Sequence, residues 1–179
     1  GSEREGVREH FNLPAQFVTF FDSYDDGVPE GLSECAAVLL EPWDYETFRP
    51  LPQSFMAELE WKCRETGTLL IIDETRTGLM RSGELWMNQK NNIAPDMVVC
   101  GKGLSGGLYP VSALLVTEAV YEHCMNQHEF AYISSLGGNE ISARVAVDLE
   151  IEWFHHAMGH SACPDARPDV PRFRAFMTR

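Results

Sequence analysis

An acid and an amine stand at the ends of two apolar segments of this sequence. Asp73 closes the aliphatic part of TLLIIDE (68–74), and Lys102 follows the apolar run of PDMVVCGKG (95–103). A carboxylate at the end of a buried strand is costly unless a cation meets it. A structural ion pair would satisfy that requirement. A cofactor that uses both groups would satisfy it too.

Pyridoxal phosphate (PLP) is a cofactor that needs both of these side chains. It is held as a Schiff base by a lysine, while an acid keeps its ring nitrogen protonated. The protonated ring draws electrons from the substrate carbon, so the carboxylate takes part in the chemistry. A desolvated lysine keeps a neutral amine more readily, which lets it attack an aldehyde and later move a proton.

Four apolar runs and three helical segments have to position these groups. The runs are CAAVLLEP (35–42), TLLIIDE (68–74), PDMVVCGKG (95–103) and VSALLV (111–116), and the helical patterns cover 54–67, 117–126 and 139–158. Short apolar strands that alternate with helices predict an α/β fold with a mainly parallel sheet and flanking helices. Functional groups in such sheets gather at the carboxyl ends of the strands.

The first helical pattern, SFMAELEWKCRETG (54–67), carries its own end signals. Phe55, Leu59 and Trp61/Lys62 have helical spacing, Ser54 is the predicted N-cap, and Gly67 is the predicted C-terminal glycine. A P-loop interpretation of GKGLSGG (101–107) fails, because Gly103 rather than Ser or Thr follows the lysine.

Composition excludes several classes of function. The 179 residues suffice for one ordinary domain, and the formal net charge of −13 argues against nucleic-acid binding. No apolar run is long enough to span a membrane, so we expect no membrane partner. Five scattered cysteines without a CxxC pair predict reduced thiols and a cytoplasmic location. The His156–His160 pair lacks an HExxH glutamate, so no metal site is predicted.

Three ordered motifs make the sequence resemble the class III, PLP-dependent aminotransferases of fold type I. They are LLIIDETRTGLMRSGELW, PDMVVCGKGLSGGLYPVSALLV and SSLGGNEISARVAV, and the resemblance covers roughly residues 14–150. It implies part of the large domain of a fold type I enzyme, with PLP as cofactor. The implied reaction moves an amino group between an amine or amino acid and a keto acid, through a Lys102 Schiff base.

The resemblance also implies roles for single residues. Asp73 matches the acid that pairs with the pyridine nitrogen, and Lys102 matches the Schiff-base lysine. Thr75 matches a position that packs on one face of the ring. Ser135, with Ser134 beside it, matches the hydroxyl residue that donates to the phosphate of the neighbouring subunit's cofactor, which implies a homodimer.

The sequence departs from the family pattern at several places. Arg76 stands where glutamine is common, near the cofactor's phenolic oxygen, and it would either add a positive charge there or turn away. Met80 replaces a usual glycine. The segment WDYETF (43–48) replaces a glycine-rich one; its aromatic residues line a substrate-facing loop or form a surface or dimer contact. Glu41 is interpreted as structural.

Family members also carry an upstream phosphate-binding cup and a C-terminal small domain. We therefore predict that residues 1–158 are a cofactor-binding large-domain portion and residues 159–179 a linker or the start of a small domain. The chain is then a fragment, a split subunit that needs a complementing partner, or a degenerate relative. Alone it should bind PLP weakly and associate through an exposed sheet edge. Aminomutase or decarboxylase chemistry and a non-catalytic dimerisation or scaffold role are the alternatives.

Overall fold

A computed structural model describes residue 24, residues 27–125, residues 139–148 and residues 173–176, with the backbone alone for 124, 125 and 173–176. Ser134 and Ser135 lie outside the described residues, as do the His156–His160 pair and the predicted domain boundary at residue 158. The domain division therefore stays a prediction.

Five strands form the main sheet, and two short strands form a separate hairpin. In chain order they are β1 (Ala37–Leu40), β2 (Trp43–Asp44), β3 (Arg49–Pro50), β4 (Leu69–Asp73), β5 (Met97–Cys100), β6 (Ala113–Thr117) and β7 (Phe173–Phe176). The main sheet has the order β1-β4-β5-β6-β7, and β2 pairs with β3. All four predicted apolar runs are strands of the main sheet.

The three strands that lead to the candidate site are parallel. β4 pairs in parallel with β1 and with β5, whereas β6 is antiparallel to β5 and β7 is antiparallel to β6. The prediction of an α/β fold with flanking helices and a largely parallel sheet is confirmed. The antiparallel direction of β6 adds to this prediction: the chain passes from β5 to β6 without a helical crossover.

The helix α1 (Gln53–Thr66) connects β3 to β4. It begins after Pro52 with no side-chain cap, so the prediction of Ser54 as N-cap is wrong. Its end is as predicted, because Gly67 takes the left-handed conformation at φ 73°. Two shorter helices are α2 (Met87–Lys90) and α3 (Glu118–Val120).

The third predicted helix is described only in part. Residues 140–148 are helical within the predicted 139–158. A π-helical turn at Tyr121–Met125 continues α3. Within the described ranges, no helix is long and apolar enough to cross a membrane.

The two faces of the sheet are buried to different extents. One face packs against α1, whose buried side chains are Phe55, Met56, Leu59 and Cys63. Trp61, one of the two alternatives at the Trp61/Lys62 position of the predicted helical spacing, is 59% exposed. Alternate residues of β1 and β4 point to the opposite face, where Leu39 is 61% exposed and Ile71 is half-buried. The described residues thus leave one sheet face half open.

Cys63 provides a test of this packing. Burial raises the pKa of its thiol from 9.0 to about 11, and the nearby Asp96 adds to the effect. At pH 8 such a rise lowers the reactive thiolate fraction about 100-fold. We expect Cys35→Ser to remove one fast-reacting thiol from the reaction with a thiol reagent, because Cys35 is exposed, and Cys63→Ser to leave the fast reaction unchanged.

The raised Cys63 pKa also predicts how stability depends on pH. Between pH 9 and about 11 the folded state keeps a proton that the unfolded chain releases. The free energy of unfolding should therefore fall as the pH rises above about 9, and Cys63→Ser should remove this part of the fall. A fast-reacting Cys63 at pH 8 would contradict the description of the core.

Candidate functional site

The parallel pairing of β4 and β5 brings the predicted acid and amine to one edge of the sheet. Asp73 is the last residue of β4 and pairs in register with Val99 of β5. Lys102 follows the end of β5 by two residues and begins a 3-10 turn, Lys102–Ser105. Both groups therefore lie at carboxyl ends of neighbouring strands, as the sequence predicts.

Asp73 is held in a fixed orientation by the turn that follows it. The backbone N–H of Thr75 donates a hydrogen bond to Asp73 Oδ1 at 2.9 Å. No described residue donates to Oδ2. The carboxylate is half-buried, so one oxygen is fixed by the backbone and the other remains open to an approaching cation or N–H donor.

Thr75 lies between the two strand ends. A Cβ placed on Gly101 would lie 3.6 Å from Thr75 Cγ2, so Thr75 packs beside the residue that precedes Lys102. The Lys102 side chain is exposed and its φ is +20°, a backbone value that non-glycine residues adopt infrequently. Strain of this kind is concentrated at functional positions.

Two glycines allow the loops after β4 and β5 to pack closely. A Cβ on Gly78 would lie 2.6 Å from the Trp86 ring and 2.9 Å from the Glu74 carbonyl oxygen. A Cβ on Gly103 would lie 2.8 Å from Leu79 Cδ1. Gly78 has no room for a side chain, because its clashes include the backbone oxygen of Glu74, and the contact of Gly103 with Leu79 joins the lysine loop to the loop that follows Asp73.

Glu74 is a structural residue of the site that the sequence patterns did not reveal. Its side chain is 1% exposed. Asn88 backbone N–H donates to Oε1 at 2.7 Å, and the Thr77 hydroxyl donates to Oε2 at 2.5 Å. Its own N–H donates to the Val99 carbonyl at 2.8 Å and so extends the β4–β5 ladder. The carboxylate thereby ties the turn after Asp73 to α2.

Replacing Glu74 by Ala should destabilise the protein. The change leaves the N–H of Asn88 and the hydroxyl of Thr77 buried without an acceptor, at about 1–3 kcal/mol each. We expect a loss of about 2–5 kcal/mol in the free energy of unfolding, measured by denaturant titration. Glu84→Ala is the matched control, because Glu84 is exposed in the same connection. Equal losses in the two variants would contradict the structural role.

Arg76 makes its described contacts with two residues that border the site. Its guanidinium carbon lies 4.3 Å from the centroid of the Tyr45 ring, within cation–π range. Its Nε lies 3.7 Å from Glu41 Oε2. Glu41 follows β1 directly, and Tyr45 lies in the connection between β2 and β3. These contacts hold the Arg76 side chain against Glu41 and Tyr45. The two predicted outcomes, an added charge near the phenolic oxygen or a side chain turned away, stay predictions.

The pKa values of Glu41 and Tyr45 are both raised by their surroundings. Burial raises the pKa of Glu41, and the charge of Asp73 adds to the rise, while Arg76, Lys102 and a hydrogen bond with Tyr45 oppose it. Burial also raises the pKa of Tyr45, and the Glu41 charge acts in the same direction. Glu41 is therefore in electrostatic contact with Asp73, Arg76 and Lys102, and its interpretation as a structural residue stays a prediction.

The described part of the chain brings four of the six predicted site residues to one end of the sheet: Asp73, Thr75, Arg76 and Lys102. Their roles toward a cofactor stay predictions. Ser134 and Ser135 cannot be placed, since they lie outside the described residues. The motif that contains Asp73 also contains Glu74, but only the fold shows that the second acid is buried.

The described residues fit the ring of PLP. Lys102 offers an exposed amine, Asp73 offers an open carboxylate oxygen, and the small residues of 101–107 let a ligand approach the backbone. When bound, PLP supplies an electron sink for bonds at the substrate carbon. Asp73 would hold the ring nitrogen, and Lys102 would hold the aldehyde carbon.

Comparison with known proteins gives the same assignment. The family described as Aminotransferase class-III matches residues 28–154 of the chain. An uncharacterised aminotransferase from Archaeoglobus fulgidus is 39% identical over 114 residues, which make up 63% of this chain and 27% of that protein.

Solved structures of ornithine aminotransferases share the fold. The enzyme from Plasmodium yoelii is 26% identical with a TM-score of 0.65, and the alignment covers 87% of this chain and 44% of that one. The enzyme from Toxoplasma gondii, crystallised with oxidised glutathione, has partial occupancy of PLP at its active site; it is 27% identical with a TM-score of 0.61, over 82% of this chain and 36% of that one.

The chain thus spans less than half the length of each of these relatives. The family match nevertheless extends over more than half of the chain and contains both strand ends of the site. This protein belongs to the class-III aminotransferase family.

Proposed function

We propose that this chain is the cofactor-binding portion of a PLP-dependent aminotransferase. The reaction moves an amino group from an amine or amino acid to a keto acid. The observation that carries the proposal is the placement of Asp73 and Lys102 at the carboxyl ends of two paired parallel strands. A scaffold alone would not require an acid with an open oxygen beside an exposed amine.

Each described site residue has a defined task in this proposal. Asp73 keeps the ring nitrogen protonated by accepting its hydrogen bond at Oδ2, while Thr75 N–H fixes Oδ1. Lys102 would hold the cofactor, and its free amine would move a proton at the substrate α-carbon. Thr75 covers part of one ring face. Arg76 lies toward the phenolic oxygen.

The assembly is also a proposal. By their place in the family motif, Ser134 and Ser135 donate to the phosphate of a cofactor in a second subunit, which makes the working unit a homodimer or a pair with a complementing chain. We further propose a cytoplasmic location. The described cysteines Cys35, Cys63 and Cys100, which are all present as thiols, support a reducing compartment.

The relatives favour transamination over the other reactions of the same cofactor. Each of the three proteins compared above is named an aminotransferase. Aminomutase and decarboxylase chemistry share the first steps, so the residues of the site do not separate them. The distinction lies in the products.

The test is a product assay with PLP, an amino acid and a keto acid. We expect a new amino acid and a new keto acid to form in equal amounts, with the chain alone or after addition of a complementing polypeptide. Carbon dioxide release would indicate a decarboxylase, and an isomer of a single substrate would indicate an aminomutase. No turnover and no PLP-dependent absorbance under any pairing would favour the scaffold role.

A further inference from the structure

The charged residues at the carboxyl end of the sheet form two oppositely charged pairs. Asp73 and Lys102 are the pair that the proposed function uses. Glu41 and Arg76 are a second pair, and the carboxylate of Glu41 is influenced by all three of the other charges and by Tyr45. The family motif with glutamine in place of Arg76 would carry one positive charge fewer, and in this chain the Glu41 carboxylate lies within ion-pair range of the added charge.

Glu41 and Tyr45 contact the Arg76 side chain from two directions. Glu41 Oε2 is buried and accepts no hydrogen bond from any described residue. The 3.7 Å separation from Arg76 Nε is within ion-pair range but exceeds hydrogen-bond length. The Tyr45 ring packs 4.3 Å from the guanidinium carbon. Arg76 is therefore fixed by a charge on one side and by a ring face on another.

We propose that Glu41 and Tyr45 are positioning residues that hold the Arg76 guanidinium beside the cofactor and neutralise its charge there. This inference rests on the proposed function, because it concerns the same cofactor site. Glu41 supplies the balancing charge, and Tyr45 supplies the surface on which the planar guanidinium lies. Neither residue touches the reacting atoms.

The proposal makes opposite predictions for the two members of the pair. Protonation of the lysine-linked cofactor adds a positive charge, which a nearby cation disfavours and a nearby anion favours. Arg76→Gln removes a cation and should raise the midpoint of this protonation. Glu41→Gln removes an anion and should lower it. The double variant should return the midpoint close to its original value.

The primary experiment is a pH titration of the bound cofactor's absorbance. It is carried out on the PLP-loaded protein and on the three variants. We expect each single variant to move the midpoint in opposite directions by about one pH unit, the lower end of the roughly 1–3 units by which a nearby charge shifts a pKa. Tyr45→Phe keeps the ring face but loses the hydrogen bond with Glu41, so it should shift the midpoint less than either single variant, and Tyr45→Ala should lower the coupling between Glu41 and Arg76. Shifts in the same direction, or no shift, would overturn the proposal.

A second experiment needs no cofactor. Arg76→Gln leaves the Glu41 carboxylate near Asp73 without its main cation, so the folded state holds a proton on Glu41 more firmly than the unfolded chain does. Stability is then kept at low pH and lost as the pH rises. In denaturant unfolding, Arg76→Gln should lower the free energy of unfolding more at pH 8 than at pH 5. The double variant that carries both Glu41→Gln and Arg76→Gln should lack this difference.

A matched ion pair serves as the control. Arg144 Nε lies 2.8 Å from Asp148 Oδ2 in an exposed i,i+4 pair. Arg144→Gln should change neither the cofactor midpoint nor the pH dependence of stability by a measurable amount. A larger loss of stability for Arg76→Gln at pH 8 than at pH 5, together with no PLP binding by the chain alone or with a complementing polypeptide, would overturn the proposed function but retain the pair. Binding of PLP with no coupling between Glu41 and Arg76 would overturn this inference alone.

Discussion

Lys102→Ala should abolish covalent attachment of PLP and lower turnover by about 10²–10⁴-fold through the loss of positioned proton transfer alone. The amine of Lys102 is exposed at the end of β5, so it can reach an aldehyde without moving the sheet. Borohydride reduction of the PLP-loaded protein, followed by peptide mapping, should place the label on Lys102. The variant should carry no label.

Lys90→Ala is the matched control for this variant. Lys90 is exposed at the end of α2, and its Nζ lies 3.4 Å from the Ser82 carbonyl oxygen. It should retain the label and the activity. A label on any lysine other than Lys102 would remove the main support for the proposed function.

Asp73→Asn should weaken PLP binding and slow turnover while leaving the fold intact. The amide oxygen of the new side chain can still accept from Thr75 N–H, as Asp73 Oδ1 does at 2.9 Å. The charge that holds the ring nitrogen protonated is lost. A charged hydrogen bond contributes about 1.5–3 kcal/mol, so we expect a decrease of roughly 10- to 100-fold in affinity or rate.

The absorbance of the bound cofactor and the unfolding transition should be measured on the same Asp73→Asn sample. Asp148→Asn is the control, because Asp148 belongs to the exposed pair with Arg144. If Asp73→Asn binds PLP and turns over at the original rate, the acid has only a structural role. A large loss of stability would lead to the same conclusion.

The placement of Asp73 and Lys102 could be predicted from sequence because apolar runs identify buried strands. Polar residues that end such runs must lie at strand ends, and parallel strands bring those ends together. The direction of β6 was harder to predict, since its apolar run looks like any other buried strand. The gap between the two predicted runs, 104–110, is informative in retrospect: it has seven residues and two glycines, whereas a parallel neighbour requires a crossover of a dozen or more residues.

The contacts of Arg76 and Glu74 could not be predicted from spacing. Tyr45 is separated from Arg76 by β3, α1 and β4, and only the fold shows that its ring packs on the guanidinium. Glu74 follows Asp73 directly, and nothing in their chemistry tells which acid is buried. The answer depends on the hydrogen bonds from Asn88 and Thr77, which come from the following turn and helix.

The alternation along β4 continues for one residue beyond the strand and assigns opposite tasks to two adjacent acids. Asp73 shares the half-open face with Ile71, whereas Glu74 is buried on the side of Ile72. A slip of one residue in the pairing of β4 would exchange the faces of both carboxylates. Asp73, the acid proposed to hold the cofactor, would then be buried, and the structural Glu74 would be exposed. A single-residue insertion or deletion in this strand would thus damage the fold and the site together, even though both Asp73 and Glu74 would remain in the sequence.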